Sequence, residues 1–152
     1  PINYKAKKIK SSSADADRHR AYIIAEFSDF CIVSTHYSLV QSDRNTMTNT
    51  ILSENIIVNC KNSGKPIYIA GDFNEEPNGE AIGIFIKNGN FEVLNNIIPS
   101  HATRPSGTHI DLILEDNNNL NHKIIDRGIP AAADTTYTLS DHLPYVVKVK
   151  LK

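Results

Sequence analysis

Short apolar runs, each carrying a carboxylate, an amide or an imidazole at one end, constrain the fold of this chain more than any other feature. In "PIYIAGDFNEEP" (66–77) a strand-like run stops at Gly71, and Asp72, Phe73 and Asn74 follow at once. Asp and Asn favour turns through local hydrogen bonds, so a plain turn is one reading. An acid and an amide two residues apart, just past a buried strand, also suit a ligand. Other runs repeat the arrangement. "FCIVSTH" (30–36) exits at His36, and "HIDLIL" (109–114) carries Asp111 near its entry. Ser140, Asp141 and His142 stand just before "YVVKVKL" (145–151). If strands marked at their exits run antiparallel to strands marked at their entries, all four clusters fall on the same edge of one sheet.

The remaining pattern predicts an α/β chain with mixed, largely antiparallel strands. "AYIIAEF" and "FCIVSTH" read as a hairpin about Ser28 and Asp29. Both faces of the second run are mainly apolar, which predicts a strand covered on both sides. Ser42 or Asp43 can cap a helix over 44–62, with Met47, Ile51 and Val58 on one face, widened by Leu52 and Ile56. Gly64 and Pro66 stop it. A second helix is expected over 80–87. "PIYIA", "FEVL", "HIDLILE", "HKIIDRGI" and the closing "YVVKVKL" read as strands, and residues 1–19 as a polar loop.

Composition narrows the function classes. The 152 residues amount to one domain, and 40% hydrophobic with 22% charged residues describes an ordinary folded chain. A net charge of -1 gives no global attraction to nucleic acid or anionic membrane. Residues 1–20 hold six Lys or Arg against two Asp, a local +4 that leaves -5 elsewhere. No apolar stretch reaches membrane-spanning length, and no signal-peptide pattern opens the chain, so the compartment stays open. Cys31 and Cys60 read as buried free thiols, with a single disulfide as the alternative.

The polar clusters define a chemistry. Asp72 and Asp141 are hard oxygen ligands or bases suited to Mg²⁺ and an activated water. His142 can carry a proton or stabilise charge on a phosphoryl oxygen. Asp111, if bonded to its other ring nitrogen, fixes the tautomer. Asn74 can donate its amide to an anionic oxygen, and His36 supplies a second donor. Together they suit in-line attack of water on a phosphate ester, where catalysis is mostly positioning and charge stabilisation. Each has a structural alternative: a satisfied core histidine for His36, a turn cap for Asp111, a loop acceptor for Asp141. His19, His101 and His122 read as surface residues, whereas His109 is close enough to Asp111 in sequence to approach the site.

The motifs "STH" (34–36), "GDFNEEP" (71–77), "THIDLIL" (108–114) and "SDHLP" (140–144) resemble, in this order, those of the endonuclease/exonuclease/phosphatase superfamily. The resemblance spans residues 31–151. It implies a metal-dependent phosphoesterase on a β-sandwich flanked by helices, with Mg²⁺ or Mn²⁺ as cofactor. Carried over, Asp72 orients or deprotonates the attacking water, Asn74 holds a phosphate oxygen and Asp111 pairs with His142, which contacts the scissile phosphate. Asp141 serves the metal and His36 adds a phosphate donor. Residues 1–20 resemble the family's later substrate-binding loop, with Arg18 and Arg20, beside Lys7, Lys8 and Lys10, as candidate contacts. The family's N-terminal Asn and Glu metal ligands have no counterpart, so residues 1–152 are expected to form the C-terminal part of a domain. His109 stands where the family commonly has Arg. Three expectations follow: weak hydrolysis by this chain alone, an incompletely covered sheet face, and possible self-association through it. The substrate, whether nucleic acid, lipid head group or small phosphoester, stays open. The alternative function is a non-catalytic, phosphate-binding module that keeps the fold.

Overall fold

In the computed structural model the described residues are 1–12, 19–95, 107–118, 122–130, 133, 136 and 139–151. Along the chain run β1 (Asn3–Lys10), β2 (His19–Glu26), β3 (Cys31–His36), α1 (Gln41–Leu52), α2 (Asn55–Asn62) and β4 (Ile67–Asp72). They are followed by α3 (Glu80–Gly89), β5 (Phe91–Val93), β6 (Asp111–Asp116), β7 (His122–Gly128) and β8 (Val146–Leu151). Six strands form one sheet in the order β1-β2-β3-β4-β6-β5, and β7 pairs with β8 in a second. Among the described strands only β3 and β4 pair in parallel, joined by the α1–α2 crossover; the other described pairs are antiparallel. This mixed α/β arrangement is the expected fold class. No described helix is long and apolar enough to cross a membrane.

The core lies between one face of the large sheet and the helices. Tyr22, Ile24, Val33, Ile67, Ile69, Leu112 and Leu114 pack there with Met47, Ile51, Ile57, Ile82 and Phe85. Contrary to the sequence reading, only one face of β3 is fully covered: Cys31, Val33 and Thr35 are buried, whereas Ile32, Ser34 and His36 are exposed. The second sheet reaches part of that outer face. There Val147, Val149 and Leu151 line a cavity of about 370 Å³ with Phe30, Ile32, Tyr68 and Ile113. Toward β1 the face is bare, leaving Tyr4 71% and Ile23 53% exposed.

Three further expectations need correction. Residues 3–10 form a strand, not a loop. Paired with β2 over its whole length, β1 needs little apolar content of its own, and its lysines suit an open edge. The helix over 44–62 is two helices, because the chain breaks at Ser53 and Glu54. Glu54 turns inward to accept hydrogen bonds from Tyr22 and from Lys5, the latter at 2.6 Å. Despite burial, which acts in the other direction, these bonds and the charges of Lys5 and Lys7 hold its carboxyl below the usual carboxylate range. The break also turns Val58 outward, to 41% exposure, and seats Ile57 and Cys60 in the core instead. No side-chain cap starts α1; Asp43 instead accepts from Ser12 and Ser38, tying the end of β1 to the helix. Finally, Cys31 and Cys60 are joined in a disulfide between β3 and α2.

At the far end of β6, Glu115 is only 1% exposed and sits in register between Tyr68 of β4 and Glu92 of β5. Burial, then the charges of Glu92 and Asp116, push its carboxyl up to about 7. The folded chain therefore keeps this proton across a window, up to about pH 7, in which the unfolded chain has released it. Stability should fall as pH rises through that window, by on the order of 2 kcal/mol, and level off above it. Glu115→Gln should flatten this slope, which thermal unfolding followed from pH 5 to 8 will reveal.

Candidate active site

Register explains how distant residues meet. On the parallel pair His36 lies opposite Asp72, and on the antiparallel pair Asp72 lies opposite Asp111. Three ionisable side chains thus occupy one row across three neighbouring strands. Side chains directly opposite on adjacent strands project to the same face. The loop before β8 adds His142, whose Nδ1 lies 2.7 Å from Asp111 Oδ2. A carboxylate only accepts, so the ring proton of this bond is on Nδ1 and Nε2 faces the other way. That Nε2 is 3.9 Å from Asp72 Oδ2, and His36 Nε2 is 3.5 Å from the same oxygen. Asp72 is the hub between two imidazoles.

The backbone around Asp72 is built for close approach. A Cβ on Gly71 would lie 1.9 Å from the carbonyl oxygen of Thr35, so only glycine lets β4 press against β3 here. Past the strand, Asp72 Oδ1 accepts the backbone N–H of Asn74 at 2.8 Å, an Asx turn that holds Asn74 at φ 47°. The turn reading of the GDFN segment is realised: the turn fixes one carboxylate oxygen and leaves the other directed at the histidines. Gly71→Ala should cost about 3 kcal/mol or more, since the obstacle is backbone and cannot move aside. A fall in Tm on thermal unfolding will measure it.

Other sequence candidates are placed differently. The Asn74 amide, expected to hold a phosphate oxygen, donates one proton to the Tyr37 carbonyl at 2.9 Å. Arg20, expected as a substrate contact, is 6% exposed, and its Nη1 lies 2.9 Å from His36 Nε2. Arg18 lies outside the described residues, as do His101 and the side chain of His122. Asp141, assigned to the metal from sequence, is exposed and lies outside the group Asp72, Asp111 and His142. His109 is half-buried and His19 exposed. The close strand approach that Gly71 permits and the contact to the Tyr37 carbonyl escaped the sequence reading. The glycine before "DFN" was the available signal for the first; a main-chain contact leaves none.

Asp72, Asp111 and His142 each present a ligand atom, all within 4.8 Å of one another, and so form a group able to hold a metal ion. Two carboxylates with one imidazole suit a hard or borderline divalent cation that completes its shell with water. The arrangement can bind such an ion, polarise a water and set two imidazoles beside a developing anion.

No protein-family model and no curated protein matches the sequence. Solved structures do match in fold. The human Nocturnin catalytic domain with bound sulfate superposes with a TM-score of 0.69 at 18% identity, over 99% of this chain and 61% of that one. An endonuclease/exonuclease/phosphatase protein from Bacteroides vulgatus gives 0.70 at 18%, over 99% and 66%. A mannosyl-6-phosphatase from Bacteroides thetaiotaomicron gives 0.70 at 16%, also over 99% and 66%. The chain thus spans less than two thirds of the length of these proteins, and what it shares with them is the fold of the endonuclease/exonuclease/phosphatase group.

Proposed function

We propose that this chain, built on the endonuclease/exonuclease/phosphatase fold, carries the phosphoryl-gripping edge of a Mg²⁺- or Mn²⁺-dependent phosphoester hydrolase. The observation that supports this most is the single row His36–Asp72–Asp111, with His142 bonded to Asp111 at 2.7 Å. Asp72 and Asp111 would hold the cation, with His142 as a further ligand or as a donor to the phosphoryl group. When bound, the cation neutralises phosphoryl charge and acidifies a water. The protein does the rest. Asp72 Oδ2 accepts the proton or the hydrogen bond of the attacking water, while the Asx turn at Oδ1 keeps the carboxylate from rotating. Asp111 holds the His142 ring with Nε2 turned to the site, where a second ring proton lets the imidazolium donate to the phosphoryl oxygens. His36, 58% exposed at its side chain, donates from the opposite flank.

Among the described residues three side chains converge as ligands here, Asp72, Asp111 and His142, so the metal shell they supply is sparse. Turnover by the 152 residues alone should therefore be slow. Hydrolysis of bis(p-nitrophenyl) phosphate by the purified chain tests the proposal. We expect weak activity that requires Mg²⁺ or Mn²⁺ and disappears with EDTA and in Asp111→Asn. Hydrolysis unaffected by EDTA, or a chain that binds neither ion, would contradict it. The substrate class is a phosphate ester; the cations of β1 are partly committed, since Lys5 and Lys7 pair with Glu54.

A further inference from the structure

We infer that Arg20 is a positioning residue that sets the tautomer of His36. The two neighbours of His36 Nε2 make opposite demands on it. Asp72 Oδ2, at 3.5 Å, can only accept and would favour a proton on this nitrogen. Arg20 Nη1, at 2.9 Å, can only donate and requires a lone pair there. The distances decide between them. At 2.9 Å the arginine contact is a hydrogen bond of ordinary length, whereas 3.5 Å to the carboxylate is beyond the usual range. His36 is therefore held with Nε2 as acceptor and its single proton on Nδ1.

The source of this control is unusual for a surface histidine. Arg20 is 6% exposed although it carries a permanent charge, so its guanidinium is anchored by the fold and not free to leave. His36 itself stands at the strand end with a side chain 58% exposed. A buried donor thus dictates which nitrogen of an accessible ring can serve as donor. Free imidazole side chains favour the proton on Nε2, so the arginine must impose the opposite state. For the phosphoester reading, on which only this consequence rests, the N–H that His36 offers an anionic ligand is Nδ1–H. Asp72 Oδ2 in turn receives no proton from His36 and keeps its acceptor capacity for water.

Long-range ¹H–¹⁵N correlation NMR of the ¹⁵N-labelled full chain, at a pH where its histidines are neutral, tests the inference directly. We expect His36 to show a protonated Nδ1 and an unprotonated Nε2. Arg20→Met should reverse that pattern, and Arg20→Lys, which keeps a cationic donor, should restore it at least in part. A protonated Nε2 in the unmodified chain would overturn the inference, and so would an Nδ1–H pattern that persists in Arg20→Met. Should Arg20→Met fail to fold, a scalar coupling across the Arg20 Nη–His36 Nε2 hydrogen bond in the unmodified chain decides, its absence counting against the inference. None of these readouts depends on turnover. If the tautomer is as stated and no phosphoester is hydrolysed, the functional reading fails and the positioning role stands.

Discussion

Asp72→Asn should abolish divalent-cation binding at this site and lower phosphoester hydrolysis by about 10³-fold, while leaving the fold intact. Asparagine keeps the shape of aspartate and its carbonyl can still accept the Asn74 N–H at the Asx turn. What it loses is the charge. In the native site that charge lies 3.5 Å from His36 and 3.9 Å from His142, and it belongs to the group of three that can hold a metal. Stability should change by less than about 1 kcal/mol, because the residue is partly exposed and its local bond survives. Isothermal titration with Mn²⁺, beside the hydrolysis assay, will measure both arms. Unchanged metal affinity would remove Asp72 from the metal group.

Replacing both Cys31 and Cys60 by alanine should lower stability by about 3–4 kcal/mol, which for a chain of this size is roughly 10 °C in Tm. The bond closes a loop of sequence separation 29 and joins the first strand of the parallel pair to the second crossover helix. Both residues are fully buried in the core, so the loss combines unfolded-state entropy with a packing defect. The site should loosen too, since β3 carries His36 and its register with β4 sets the row. Thiol titration without reductant should find neither cysteine reactive. A titration that finds two thiols, with an unchanged Tm under reductant, would contradict this.

How much of this was legible in the sequence differs by element, for physical reasons. Strand ends at His36 and Asp72 and a strand entry at Asp111 already imply a shared edge, because strand polarity alone aligns them once β6 runs against β4. The β2–β3 hairpin and the short strands β4 and β6 announce themselves through dense apolar runs between turn residues. β1 does not: Asn3–Lys10 carries four lysines, and its strand state comes from eight paired residues on β2 rather than from its own composition. The break between α1 and α2 was equally silent, since it answers to Tyr22 and Lys5, far away in sequence. The disulfide required knowing that β3 and α2 pack together. In the site, residue types and their shared edge could be read, but their finer roles could not. Nothing local in "DRHR" says that Arg20 turns to His36 rather than to a ligand, or that the Asn74 amide is bonded to the Tyr37 carbonyl.

On the proposed function, one rim of the large sheet binds the cation and the phosphoryl group together. Paramagnetic broadening by Mn²⁺ in amide-resolved NMR tests it most directly. His36, Asp72, Phe73, Asp111 and His142 should lose their signals at the lowest Mn²⁺ concentrations. Phe27 and Phe30 in the β2–β3 turn, and Glu115 near the far end of β6, should keep theirs. Broadening centred on any other part of the chain, or spread evenly over it, would contradict the account.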